Sequence, residues 1–128
     1  MREKLVRDVM RRNVVCCPLG CAAKEVARLL ATNDANVVVV LDEMAEACGI
    51  ITPADLLPCY GKNLEIVRAE TVMTPHVVTI SPTASLTEAA ALMLSQGMRQ
   101  LVVPKGEPAG MRPVGILSVE DIVREMAR

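Results

Sequence analysis

Residues 49–55 read Gly-Ile-Ile-Thr-Pro-Ala-Asp, and residues 115–121 read Gly-Ile-Leu-Ser-Val-Glu-Asp. The two stretches lie 66 residues apart and share a glycine, two aliphatic residues, a hydroxyl residue and an aspartate at the same spacing. Thr52 and Ser118 are favourable N-cap residues, and each is followed three positions later by an acid, which is typical of a helix start. The sequence therefore predicts the same strand-to-helix turn twice.

The duplication covers most of the 128-residue chain. Residues 9–40 match residues 72–103 at an offset of 63, so that Val9-Met10 returns as Val72-Met73. A repeat of this kind constrains the whole fold, and each half is short for a self-sufficient core. We predict one domain built from two repeats, 1–60 and 64–128, which pack on each other and place paired sites at their seam.

Hydrophobic periodicity predicts an α/β (α+β) fold in which each half runs β-α-β-β-α after a short helical lead-in. The lead-in helices are predicted at 3–10 and 64–73, and the long helices begin near 23 and 86. Strands are predicted at 14–17, 37–41 and 48–51, and again at 77–80, 101–103 and 114–117.

Helix boundaries follow from capping residues. Ser85 with Glu88 forms a predicted capping box, whereas Ala22 at the equivalent position cannot cap. Closing helices are predicted from Thr52 and Ser118, and the first should end near Pro58.

The composition excludes several partner classes. The chain has no Phe, no Trp and one Tyr, so it lacks the aromatic platform on which single-stranded nucleic acids usually stack. A net charge of −1 gives no global attraction for nucleic acid or for an anionic membrane. No apolar run approaches the roughly 18 residues of a membrane-spanning helix, and the N-terminus does not resemble a signal peptide. We expect a cytoplasmic protein with neither nucleic-acid nor membrane partners.

Five cysteines, at 16, 17, 21, 48 and 59, raise the question of a metal or redox site. There is no Cys-x-x-Cys pair, and His76 is the single histidine. The repeat partners of the first three are ordinary small or apolar residues. We predict reduced structural thiols and no metal, with a redox or metal sensor as the alternative.

The order of motifs resembles the CBS domain (cystathionine β-synthase domain). The residues that carry the resemblance are Asp-Val-Met or Thr-Val-Met, then an alanine-rich helix, a strand, and Gly-x-x-(Thr/Ser)-x-x-Asp. Their occurrence in two copies resembles the tandem pair called a Bateman module. The resemblance implies a pseudo-two-fold pair with central strands and two equivalent clefts. It also implies an adenosyl regulatory ligand such as AMP, ADP, ATP or S-adenosylmethionine, with no cofactor required.

The resemblance assigns roles to the repeated hydroxyl and acidic residues. Thr52 and Ser118 would contact phosphate or ribose, and Asp55 and Asp121 would accept hydrogen bonds from ribose hydroxyls. The same residues are also favourable helix caps without any ligand. Both interpretations remain open at this point.

Phosphate binding distinguishes the two copies. The resemblance implies a basic residue just before the long strand, and the second copy has Arg99 followed by Gln100, where the first has Asn36. An exposed arginine at a turn is the alternative interpretation. We expect Arg99, Ser118 and Asp121 to favour a phosphorylated ligand.

The segment expected near the base also differs between the copies. Thr74-Pro75 matches the Met-Thr-Pro pattern of the family, whereas Arg11-Arg12 departs from it. We expect one functional nucleotide site, in the second copy, with the position of Thr52 and Asp55 empty or bound to an uncharged nucleoside.

No set of nucleophile, base and orienting residue is apparent, so we do not expect an enzyme. The prediction is a regulatory, nucleotide-binding module that senses an adenosyl ligand and acts on an unknown partner protein, and that forms a homodimer. The alternative is a ligand-free interaction or dimerisation module of the same fold.

Overall fold

The computed structural model describes residues 3–33, 35–105 and 112–128, which form two compact units. One unit is Val15–Val77, and the other joins Met1–Val14 to Val78–Arg128. These units differ from the predicted repeats 1–60 and 64–128, because each lead-in segment belongs to the unit built mainly from the other repeat. In the described ranges, no helix is both long and apolar enough to cross a membrane.

The unit 15–77 contains a three-stranded sheet of β1 (Cys16–Pro18), β2 (Val38–Leu41) and β3 (Ala47–Ile51), in that order. Helix α2 (Ala23–Thr32) connects β1 to its parallel neighbour β2, and β3 runs antiparallel to β2. The strands and α2 enclose an aliphatic core that includes Val26, Val38, Val40 and Ile51. Helix α2 has no side-chain cap, as its Ala22 predicted.

The other unit contains two antiparallel strands, β4 (Gln100–Pro104) and β5 (Pro113–Ser118), with helices α5 (Leu86–Gln96) and α6 (Val119–Met126). The capping box at the start of α5 is confirmed, since the Glu88 N–H donates to Ser85 Oγ at 3.0 Å. The predicted strand at 77–80 is reduced to a single parallel bridge between Thr79 and Val102. The Ile80 N–H donates to the Val102 carbonyl at 3.1 Å, and the Val102 N–H donates to the Val78 carbonyl at 2.9 Å.

The remaining helices are short. Helix α1 spans Val6–Val9, α3 spans Pro53–Leu56 before a 3₁₀ turn at Leu57–Cys59, and α4 spans Ala69–Val72. The end of α3 near Pro58 agrees with the prediction, but both lead-in helices are shorter than predicted. Residues 64–66 are held in a turn instead, in which Asn63 Oδ1 accepts the Glu65 N–H at 3.1 Å.

Each lead-in segment is hydrogen-bonded to the strand that precedes a closing helix. Arg11 and Ile116 exchange two backbone hydrogen bonds, of 2.8 and 2.9 Å, and Thr74 and Ile50 exchange two of 2.8 and 3.0 Å. Arg11 and Thr74, which are 63 residues apart in the sequence, therefore occupy equivalent positions in the two units.

Candidate ligand-binding site

The turn from β5 into α6 holds one of the two repeated aspartates. Asp121 Oδ2 accepts hydrogen bonds from the N–H and the hydroxyl of Ser118, both at 2.9 Å, and the Asp121 N–H donates to Ser118 Oγ at 3.2 Å. Both residues are 4% exposed. The predicted N-cap with an acid at the third helical position is therefore confirmed here.

Two arginines contact the second oxygen of the same carboxylate. Arg11 Nε donates to Asp121 Oδ1 at 3.2 Å, and Arg124 donates to the same oxygen from the next turn of α6. With the two donors from Ser118, the carboxylate receives four hydrogen bonds from the protein. Such charge-assisted bonds are stronger than neutral ones, so Asp121 has no free oxygen to offer a ribose.

The equivalent turn from β3 into α3 leaves its aspartate more accessible. Asp55 Oδ2 accepts from the N–H and the hydroxyl of Thr52 at 2.8 and 3.1 Å, and Asp55 is half-buried. Within the described ranges, no donor contacts Asp55 Oδ1. The positions of Arg11 and Arg124 are taken here by Thr74 and Pro58.

Thr74 lies in the same unit as Thr52 and Asp55. Its backbone pairs with Ile50, two residues before Thr52, so it lies beside the start of α3. The prediction that Thr74 serves the second copy is therefore wrong in its grouping, as is the assignment of Arg11 to the first. The lead-in segments are exchanged between units, and a comparison of repeats cannot reveal that exchange.

Arg99 and Gln100 lie beside Ser118, as the sequence suggested. The Arg99 carbonyl accepts the Val119 N–H at 3.0 Å, and Gln100 is the register partner of Ser118. The Arg99 side chain is exposed and has no hydrogen bond or ion pair within the described part of the chain. The structure thus brings together Arg99, Gln100, Ser118 and Asp121, and separately Thr52, Asp55 and Thr74.

The cysteines all lie in the unit 15–77. Burial raises the pKa of Cys16, Cys21 and Cys48, and burial together with the neighbouring Cys21 raises the pKa of Cys17 to about 12. At neutral pH these groups are protonated thiols, which fits a structural role better than a redox centre. Among the described residues, no three His, Cys, Asp or Glu side chains form a group that could hold a metal ion.

Sequence reasoning missed the two arginines on Asp121. Arg124 could have been found, because it follows Asp121 by three residues on a helix and such pairs face each other. Arg11 could not, because it is separated from Asp121 by 110 residues.

The sequence and these two turns can be compared with known families. The family model for the CBS domain matches residues 6–61 and 69–128. The chain belongs to the CBS-domain family. The α/β fold class and the tandem CBS pair are thereby confirmed, with support from solved structures. Its two CBS repeats account for both copies of the Gly-x-x-(Thr/Ser)-x-x-Asp motif.

Among solved structures, this CBS pair is similar to the CBS domain pair of protein MJ0100, in complex with 5′-methylthioadenosine and S-adenosyl-L-methionine. The identity is 25%, the TM-score is 0.82, and the match covers 96% of this chain and 99% of that one. It is also similar to the cytosolic domain of the Mg²⁺ channel MgtE in complex with ATP. There the identity is 28% and the TM-score 0.72, over 91% of this chain and 46% of that one.

Among curated proteins, an uncharacterized protein of Methanopyrus kandleri is 32% identical over 127 residues, or 97% of this chain. The CBS pair spans 63% of that relative's length, and 34% and 27% of two further curated relatives. These three relatives are therefore longer than this chain.

Proposed function

We propose that this CBS pair is a regulatory module that binds an adenosyl ligand through Thr52, Asp55 and Thr74. The observation that carries the proposal is the state of the Asp55 carboxylate. Oδ2 is held by Thr52, whereas Oδ1 has no donor among the described residues. A carboxylate held in this way can accept charge-assisted hydrogen bonds from vicinal ribose hydroxyls.

The charges around Asp55 favour a nucleoside without phosphates. Asn36, Pro58 and Thr74 stand where the other unit has Arg99, Arg124 and Arg11. A phosphate brought to this turn would therefore lose water without the three arginines that the other turn offers. The complex of the MJ0100 pair with methylthioadenosine and S-adenosylmethionine supports this ligand class.

The position with Arg99, Gln100, Ser118 and Asp121 differs in both charge and the availability of its carboxylate. It offers an exposed cation to a phosphate, but its carboxylate is already saturated. In the proposal this position is secondary, and AMP, ADP and ATP bind more weakly than S-adenosylmethionine or methylthioadenosine.

Regulation would operate by linkage. A ligand that binds one arrangement of the chain more tightly shifts the population toward it by its differential affinity. We propose a homodimer in a reducing cytoplasm, with the signal passed to a partner protein or to attached domains. Exposed apolar side chains such as Leu57, Leu94 and Met126 support self-association, which sedimentation velocity would measure.

Isothermal titration of the purified chain tests the proposal. Methylthioadenosine and S-adenosylmethionine should bind, with AMP, ADP and ATP weaker. If none of the five binds with a Kd below about 1 mM, the sensor proposal fails. The saturated Asp121 favours a second candidate, a ligand-free interaction module, which would then stand if the chain still dimerised.

A further inference from the structure

We propose that Arg11 and Arg124 act as specificity-determining residues that close the turn at Ser118 and Asp121 to ribose. The chain then accepts one adenosyl ligand rather than two. This inference rests on the proposed function, because it concerns which of two equivalent turns is open. It goes further by assigning the asymmetry to two named side chains.

The contact of Arg11 with Asp121 is built into the backbone. Two hydrogen bonds join Arg11 to Ile116, and Ile116 lies two residues before Ser118. The neighbouring Met10 is 8% exposed and packs against Gly115. The start of the Arg11 side chain is thus fixed beside the end of β5, unlike that of a freely rotating surface arginine.

Arg124, near the C-terminus, supplies the second guanidinium group that contacts Asp121. It lies three residues after Asp121 on α6 and donates to the same Oδ1 that Arg11 contacts. A ribose hydroxyl would have to displace both guanidinium groups from a carboxylate that is 4% exposed. Displacement would remove the two cations that compensate a buried negative charge, which is unfavourable.

The turn at Thr52 and Asp55 shows what the same backbone does without the arginines. Thr74 repeats the backbone pairing of Arg11, and Met73 repeats the packing of Met10 against a glycine. The turn at Thr52 repeats the hydrogen bonds to Oδ2. Because the backbone and the aspartate are shared, the difference at Oδ1 is due to the side chains at 11 and 124. A ligand is excluded when the polar group that it would bind is already hydrogen-bonded within the protein.

The test is a gain of binding. Asp55→Ala should weaken binding of methylthioadenosine in isothermal titration about tenfold or more, and adding Arg11→Thr with Arg124→Ala should restore one tightly bound equivalent per chain. A further Asp121→Asn change should remove that regained site. The matched control is Arg12→Thr with Arg128→Ala, which changes the net charge equally. Arg12 donates to the Arg7 carbonyl and Arg128 pairs with Glu125, so neither contacts Asp121.

Other outcomes separate the two proposals. If the native chain already binds two equivalents, this inference is wrong while the proposed function stands. If binding is lost with Asp121→Asn but not with Asp55→Ala, both are overturned, because the ligand then uses the turn that the arginines were proposed to close. If the native chain binds nothing but Arg11→Thr with Arg124→Ala binds one equivalent, the proposed function fails and this inference stands. If no variant binds, both are overturned. A loss of ATP or AMP binding in Arg11→Thr with Arg124→Ala would also overturn this inference, since the two arginines would then bind phosphate and not exclude ribose.

Discussion

Met10 fills the space that a side chain on Gly115 would need. A Cβ at residue 115 would overlap Met10 Sδ and lie 3.0 Å from its Cγ and 3.3 Å from the Arg11 carbonyl oxygen. Gly49 has the same relationship to Met73, at 2.9 Å from Cγ, and to the Thr74 carbonyl, at 3.1 Å. The glycine of the repeated motif and the methionine of the Val-Met motif therefore pack directly against each other in both units.

Gly115→Ala and Gly49→Ala should each lower the free energy of unfolding by about 1–3 kcal/mol, because the added methyl overpacks the contact. Urea denaturation of the purified variants measures this. Gly20→Ala is the matched control, since nothing lies within 4 Å of a Cβ there, and it should not destabilise. Combining Gly115→Ala with Met10→Ala should cost less than the sum of the two single changes. Additive costs would show that the two residues do not share the space.

The two helix caps should differ in strength. Ser118→Ala removes a buried hydroxyl that both donates and accepts, so it should cost about 1–2 kcal/mol of unfolding free energy. The hydroxyl of Thr52 only donates, to a half-buried Asp55, and Thr52→Ala should cost roughly 0.5 kcal/mol. Thermal or urea unfolding under the same conditions compares them. A larger cost at Thr52 would contradict the weaker hydrogen bonding of its hydroxyl.

Asp55→Ala should weaken binding of methylthioadenosine or S-adenosylmethionine about tenfold or more, because a charged acceptor for ribose hydroxyls is lost. Isothermal titration gives the two dissociation constants. Glu70→Ala removes an exposed carboxylate in the same unit and should leave the affinity unchanged. Equal affinities in the native chain and Asp55→Ala would return Asp55 to a helix-capping role alone.

The raised thiol pKa values predict slow alkylation of the native protein. Burial holds Cys16, Cys17, Cys21 and Cys48 protonated at pH 7.5, so iodoacetamide should label them faster after unfolding in urea. Rapid stoichiometric labelling of the native chain at pH 7.5 would contradict these environments.

The same shifts predict a loss of stability at alkaline pH. A thiol whose pKa is raised in the folded state keeps its proton while the unfolded chain loses it. The unfolded state therefore binds fewer protons above about pH 9, and the free energy of unfolding falls as the pH rises toward about 12, the folded pKa of Cys17. Cys17→Ala should flatten this decline, whereas Arg12→Thr, at an exposed residue, should not. If the free energy of unfolding of Cys17→Ala fell with pH as steeply as that of the native chain, Cys17 would not be the cause of the decline.

Local signals in the sequence predicted much of the fold. The caps at Ser85, Thr52 and Ser118 and the periodicity of α2 and α5 depend on residues a few positions apart, so they can be read directly. The predicted strand at 77–80 is only partly formed, because its backbone pairs with a single residue of β4, Val102.

By itself, the sequence determined that the chain repeats one α/β unit twice and where helices α2, α3, α5 and α6 begin. Only the tertiary structure decided which lead-in segment meets which turn. That exchange places Arg11 on Asp121 and Thr74 beside Thr52, through contacts as far as 110 residues apart. A sequence repeat shows which residues are equivalent in the two copies. It does not show which donors lie next to a given carboxylate, because the folded backbone decides that. These donors leave Asp55, and not Asp121, with an oxygen that a ligand can reach.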